Sequence, residues 1–224
     1  VLNGKILDEN QRKAMVWDIE RGQANEIMPD VWQTDTCLGQ WHYDRSVFDR
    51  KAYKTPEMVI QTMVDVVSKN GNYLLNVPVR GDGSIDELER GIVKEIAGWM
   101  KLNSESIYDT RPWSVYGEGP STQNQAQLNG QGFNEGRTKF TAADIRFVRK
   151  TDALYATIMK WPEDRTILIK SLGSGSPLYP KEISQVTWVG YGSPLVFERR
   201  SEGLLVKLPD LSPKFTYANV LKIV

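Results

Sequence analysis

The sequence predicts an α/β region with a parallel sheet, followed by an all-β region that forms an antiparallel sandwich. Three observations carry this. Up to about residue 112, short apolar runs alternate with stretches of helical periodicity, the order expected of α/β folds. From Asp144 onward the apolar runs are short, alternate with period two and carry no helix signal, which argues for a sandwich. Between them, Tyr116–Gly136 is rich in Gly, Gln and Asn and poor in apolar residues, as a linker or long loop would be. The expected division is 1–115, 116–136 and 137–224.

Each element has a local reason. Ala14-Met15-Val16-Trp17-Asp18-Ile19 is a short apolar run ending in Glu20-Arg21-Gly22, suited to a strand buried on both faces. Trp32 to Leu38 is a second strand candidate. Thr55-Pro56-Glu57 is a helix start, with threonine as N-cap, proline at the first helical position and an acid in the first turn. Ile60, Met63, Val64 and Val67 then recur at helical spacing, and Asn70-Gly71 suits a left-handed end. Tyr73 to Val77 is the next strand. After the Gly81-Asp82-Gly83 turn, Ser84 and Glu87 fit a capping box, followed by a helical stripe of Leu88, Ile92, Ile96 and Trp99. In the second region the strand candidates are 154–159, 166–172, 185–189, 195–199, 204–208 and 220–224, separated by turns such as Pro162-Glu163-Asp164 and Gly173-Ser174-Gly175.

Composition removes several functions. The 224 residues hold 28 Lys+Arg and 28 Asp+Glu, so the formal net charge is zero. With no basic block, nucleic-acid binding is not expected, because neutralising phosphates needs a basic face. No apolar run approaches the roughly 20 residues of a membrane span. The single cysteine, Cys37, excludes an internal disulfide. Together with a single histidine, His42, it leaves no zinc-ligand spacing, and no metal or cofactor is expected. No serine lies in a G-x-S-x-G context. The start at Val1 reads as a piece of something longer or a mature product. Three parallel strands with an open, apolar sheet edge invite aggregation, so further strands upstream are expected to complete the sheet.

At Asp65–Val77 the chain carries the run DVVSKNGNYLLNV, followed by Gly81-Asp82-Gly83-Ser84-Ile85, then Asn103-Ser104-Glu105-Ser106-Ile107-Tyr108-Asp109-Thr110-Arg111-Pro112-Trp113 and Tyr116-Gly117-Glu118-Gly119-Pro120. Upstream stand Trp32–Gly39 (WQTDTCLG) and Trp41-His42-Tyr43. Together, from about residue 14 to 120, these resemble the α-L-fucosidases of glycoside hydrolase family 29. Beyond 120 the resemblance thins to Ala153–Ala156 and Trp161-Pro162. It implies the last strands and helices of a (β/α) TIM-like barrel, followed by a β-sandwich. It further implies an exo-acting retaining hydrolase that removes terminal α-L-fucose from fucosylated glycans without a metal. The partners implied are that glycan substrate and the N-terminal remainder of the barrel. The sequence carries no compartment signal; enzymes of this type are often exported, which favours a periplasmic or secreted location slightly over the cytoplasm.

A retaining glycosidase needs two carboxyl groups about 5–5.5 Å apart, at the C-terminal ends of barrel strands. Glu20 ends an apolar strand and opens a loop. The resemblance places the acid/base in that loop, so Glu20 is the acid/base candidate and Glu26 its rival. A strand-end Glu beside an Arg is also the pattern of a surface ion pair. Some family members carry Glu where this chain has Gln33. The acid must be protonated near neutral pH, raised by an apolar wall or a neighbouring negative charge. Trp17 and Trp32 are candidate walls; Arg21 would oppose them if it pointed at Glu20. The family nucleophile is an aspartate on an earlier strand, upstream of Val1, and neither Asp18 nor Asp35 matches its motif. Trp41, Trp32 and His42 are the substrate-binding candidates: Trp41 either packs on fucose or belongs to the barrel, and His42 is favoured as a polar rim residue. The alternative function is a non-catalytic carbohydrate-binding or structural fragment, in which Trp161, Trp188, Tyr191 and Tyr217 of the sandwich would bind glycans.

Overall fold

A computed structural model describes residues 1–123, 125, 127–128 and 132–224. The chain divides into two compact units, Val1–Met100 with Ala126–Arg137, and Lys101–Gln125 with Thr138–Val224.

The first unit contains β1 (Asn3–Gly4), α1 (Glu9–Ala14), β2 (Val16–Glu20), β3 (Trp32–Cys37), α2 (Arg45–Asp49), α3 (Pro56–Ser68), β4 (Gly71–Asn76) and most of α4 (Glu87–Asn103). Its sheet has the order β1-β2-β3-β4 and every pairing is parallel. Helix α3 starts as its sequence dictates: the Thr55 side chain accepts the Met58 N–H, with Pro56 at the first position. Asn70 follows it in the left-handed region, at φ +72°. Gly71 opens β4 because a Cβ there would stand 2.6 Å from the Trp32 ring.

The capping box of α4 lies two residues later than expected. The Asp86 carboxylate accepts the Glu89 N–H at 2.8 Å, and Glu89 accepts the Asp86 N–H at 3.4 Å. Ser84 instead donates to Asp82. The segment Ser84-Ile85-Asp86-Glu87-Leu88-Glu89 contains two cap-x-x-Glu patterns, and aspartate is as good a cap as serine.

The strands of this sheet are not apolar on both faces. Register pairs Asp18 with Gln33, Glu20 with Asp35, Gln33 with Asn72 and Asp35 with Leu74. Paired residues of parallel strands share a face, and alternate residues along a strand point to opposite faces. One face therefore carries Asp18, Glu20, Gln33, Asp35, Asn72, Leu74 and Asn76. The other carries Trp17, Ile19 and Trp32, which pack with Ala24 and with Val66 of α3.

The second unit contains β5 (Arg111–Glu118), β6 (Ile145–Arg149), β7 (Leu154–Lys160), β8 (Thr166–Ile169), β9 (Val186–Trp188), β10 (Ser193–Pro194), β11 (Val196–Arg200), β12 (Gly203–Lys207) and β13 (Tyr217–Ile223). One antiparallel sheet has the order β10-β9-β13-β7-β6-β5, the other β11-β12-β8. Both contribute to one core, with Phe147, Ile158, Trp188 and Leu221 from the first and Ile167, Leu204 and Val206 from the second. Residues 116–118, expected in the linker, finish β5. Most of the remaining linker expectation is described, but residues 124, 126 and 129–131 lie outside the described residues.

Candidate active site

The candidate site is built on the polar face of the parallel sheet, at the C-terminal ends of β2 and β3. Lys5, just beyond β1, organises it. Its Nζ lies 2.8 Å from Asp35 Oδ2, 3.1 Å from Asp18 Oδ2 and 3.4 Å from Glu20 Oε2. The Trp17 indole N–H donates to the Lys5 carbonyl at 3.1 Å, which fixes the backbone that carries the amine. Burial pulls the Lys5 pKa down, but the hydrogen bonds and charges of Asp35 and Asp18 outweigh it and hold the amine above its ordinary value. Gln33 donates to Asp18 at 3.2 Å. The Glu20 side chain is 23% exposed, so it remains reachable from solvent beside two other carboxylates.

Arg21 does not point at Glu20. Its backbone is left-handed, at φ +43°, and its guanidinium donates to Cys37 Sγ and the Gly39 carbonyl and lies 5.3 Å from the Trp41 ring. The cation beside Glu20 is Lys5. Cys37 is buried, as its residue type suggests.

The other candidates fall in different places. Trp32 is 1% exposed and donates its indole N–H to the Lys69 carbonyl. With Trp17 it faces the core side of the sheet, so neither ring walls Glu20; the alternation that turns Glu20 to one face turns both tryptophans to the other. Trp41 is half-buried, with its carbonyl held by the Asn76 side chain at 3.0 Å. His42 is exposed. Glu26 is exposed in the 21–31 loop, and no hydrogen bond or ion pair among the described residues ties it to the Lys5 cluster. In the second unit, Trp188 belongs to the sandwich core, Trp161 and Tyr191 pack against it partly buried, and Tyr217 is buried. The Trp188 and Tyr191 rings stack at 3.9 Å.

Sequence reasoning missed a second set of residues. Residues 132–135 run past the end of β2. Gly132 forms a parallel bridge with Glu20, the Phe133 N–H donates to the Glu20 carbonyl, and the Glu135 N–H donates to the Arg21 carbonyl. The Glu135 carboxylate accepts from Thr36 at 2.6 Å and pairs with Lys54 at 2.9 Å. The carboxylates around Lys5 had a readable signal: Trp17-Asp18-Ile19-Glu20 and Trp32-Gln33-Thr34-Asp35 show the same apolar–polar alternation. The Glu135 cluster had none, because its partners stand about a hundred residues away in sequence. Among the described residues no group of three or more His, Cys, Asp or Glu side chains could hold a metal ion. No described helix is long and apolar enough to cross a membrane.

Residues 1–105 match the family model described as alpha-L-fucosidase, and residues 138–224 match the alpha-L-fucosidase C-terminal domain. Tissue alpha-L-fucosidase of Rattus norvegicus is 28% identical over 192 residues, covering 83% of this chain and 35% of the relative. Plasma alpha-L-fucosidase of Homo sapiens is 24% identical over 198 residues, covering 86% of this chain and 37% of the relative. The chain thus spans about a third of the length of the curated relatives it matches. Among solved structures, the Thermotoga maritima alpha-fucosidase aligns with a TM-score of 0.68 at 22% identity, covering 96% of this chain and 46% of that one. A Bacteroides thetaiotaomicron GH29 alpha-L-fucosidase, captured as a trapped covalent intermediate, aligns with a TM-score of 0.66 at 19% identity, covering 93% and 43%. Two family models in the expected order, relatives that share both regions and the common fold place the chain in one family: it belongs to the α-L-fucosidases of glycoside hydrolase family 29.

Proposed function

We propose that this chain is the C-terminal portion of a retaining exo-α-L-fucosidase acting on fucosylated glycans, with Glu20 as its acid/base. The observation that carries the role of Glu20 is its place: the last residue of a parallel strand, on the polar face, partly exposed among carboxylates. Ligands of such sheets bind at the C-terminal ends of strands. In this reading residues 1–115 belong to the catalytic barrel, 116–136 connect, and 137–224 form the sandwich. The nucleophilic aspartate and the remaining barrel strands precede Val1.

The chemistry balances over two steps. The nucleophile carboxylate attacks the anomeric carbon of fucose while protonated Glu20 gives its proton to the glycosidic oxygen. The C–O bond breaks, the leaving sugar departs as an alcohol and a covalent fucosyl-enzyme forms. Glu20, now a carboxylate, takes a proton from water as that water attacks the same carbon, which releases fucose and frees the nucleophile. The trapped covalent intermediate of the Bacteroides relative supports two-step chemistry. Lys5 holds Asp18 and Asp35 more closely than Glu20, which leaves Glu20 the most weakly held acid of the three. Trp41, stacked near Arg21, is the aromatic candidate for the fucose side of the site. His42 belongs to its rim.

The test is hydrolysis of an aryl α-L-fucoside by the complete polypeptide, with the anomer of the released fucose read by NMR. Release of α-L-fucose as first product supports the reading. First release of the β-anomer, or no hydrolysis, contradicts it. The burial of the sandwich aromatics argues against the non-catalytic glycan-binding alternative.

A further inference from the structure

Residues 132–135 combine strain, tight anchoring and an exposed ring beside residue 20. Gly132 has φ +130°, and a Cβ on it would stand 1.9 Å from the Glu20 carbonyl oxygen, so only glycine lets the chain come this close. Asn134, 3% exposed, clasps the backbone of Gln23: its Oδ1 accepts the Gln23 N–H at 2.8 Å and its Nδ2 donates to the Gln23 carbonyl at 3.0 Å. Glu135 is fixed through its own N–H, Thr36 and Lys54. Between these anchors sits Phe133, its N–H on the Glu20 carbonyl at 2.9 Å. Its backbone is left-handed, at φ +63°, a conformation unfavourable for a bulky L-residue. Its side chain stays 56% exposed.

An aromatic residue in a strained conformation, pinned on both sides, gains little from packing within this chain. Strain of this kind persists where the surroundings over-determine it, and it gathers at functional sites. The Phe133 backbone is also hydrogen-bonded directly to Glu20, the residue that carries the candidate acid. The group nearest an acid/base in a glycosidase is the leaving-group sugar, because the acid protonates the oxygen that joins fucose to it. The C–H face of a pyranose ring is apolar and carries slight positive charge, which complements the negative face of an aromatic ring.

We propose that Phe133 is the apolar wall of the leaving-group subsite and stacks against the sugar to which fucose is attached. This rests on the α-L-fucosidase reading above, and makes Phe133 a specificity residue rather than part of the proton-transfer machinery.

The test uses the complete polypeptide with two substrates: a fucosylated disaccharide, and α-L-fucosyl fluoride, whose leaving group has no ring to stack. F133G removes the ring and also relieves the left-handed backbone, so it should fold. F133Y keeps the ring. For F133G, kcat/KM on the disaccharide is expected to fall roughly three- to ten-fold, mainly through KM, given the usual worth of a ring–ring contact. Its kcat/KM on the fluoride stays within about two-fold, the pH profile does not move, and F133Y behaves as wild type. Equal losses on both substrates would reduce Phe133 to a structural role and overturn the proposal, as would an unchanged rate on the disaccharide. A wild-type protein inactive on both substrates would instead overturn the underlying fucosidase reading, and the subsite with it.

Discussion

The two units bury carboxylates in opposite ways. Asp144 of the second unit has no exposed surface, yet its oxygens accept three hydrogen bonds: the Ser121 N–H at 2.7 Å, the Thr141 N–H at 2.7 Å and the Thr141 hydroxyl at 2.8 Å. Burial pushes its pKa up, but these donors outweigh burial and hold it below the ordinary carboxylate value. Glu89 of the first unit is buried as completely. One oxygen accepts a long bond from the Asp86 N–H, and the other has no hydrogen-bond partner among the described residues. Here burial dominates, the Asp86 charge adds to it, and the pKa rises. The number of donors, not the depth of burial, sets the direction in which each acid's pKa moves.

The same contrast separates the sheets. The antiparallel sheets of the second unit direct Trp188, Phe147 and Leu204 into a shared apolar core. The parallel sheet of the first unit turns one face to its core and lines the other with acids held by Lys5.

This comparison can be broken in four places. The largest effect is expected from W188A, which removes a fully buried ring stacked on Tyr191. It should cost about 3–5 kcal/mol, read as a lowered unfolding midpoint in urea.

D144N should cost about 1.5–3 kcal/mol at pH 7, since it disturbs charge-assisted bonds. The sign follows from its depressed pKa. The stabilisation by Asp144 is fully present above the unfolded value of 3.8 and is lost as pH falls through the lower folded value. Acid melts of D144N should therefore be flatter than wild type below about pH 4.

E89Q tests the opposite case. Its folded pKa lies above the unfolded 4.5, so stability is fullest below that value and declines as pH rises through the folded one. E89Q should remove that decline and be at least as stable as wild type at pH 7. A loss of stability at pH 7 would show that Glu89 is ionised and satisfied.

The smallest effect is expected from K5M. Lys5 is more than a third exposed, so screening limits its worth to about 1 kcal/mol. Its raised pKa places the loss of wild-type stabilisation above pH 10.5, in alkaline melts that K5M should flatten.

Much of the fold was legible, for reasons that particular residues supply. Thr55-Pro56 announced α3 because threonine caps a helix N-terminus and proline suits its first turn. The run at 154–159 was legible from its apolar length, buried throughout, and the 166–172 candidate from its alternation, which the strand keeps over 166–169. β5 escaped because it contains Pro112 and Gly117 and shifts register between them; it is an edge strand, where proline is tolerated. β1 escaped because two residues carry no periodicity. In the site, the strand end at Glu20 was legible from its apolar run. The placement of Trp17 and Trp32 as its walls failed because period two had not been applied to both strands. Lys5 and Phe133 reach Glu20 through tertiary contacts that local pattern does not encode.

The central claim is that Glu20 delivers the proton, and it is tested most directly by comparing E20Q with E26Q in the complete polypeptide. If Glu20 is the acid/base, E20Q should lose about 10²- to 10⁴-fold in kcat on a fucosylated disaccharide. In kcat/KM, which reports the first step, it should lose far less on α-L-fucosyl fluoride, whose leaving group needs no proton, while the base-assisted second step still slows turnover; E26Q should stay near wild type on both. Wild-type rates for E20Q on the disaccharide, or the larger loss in E26Q, would contradict the account.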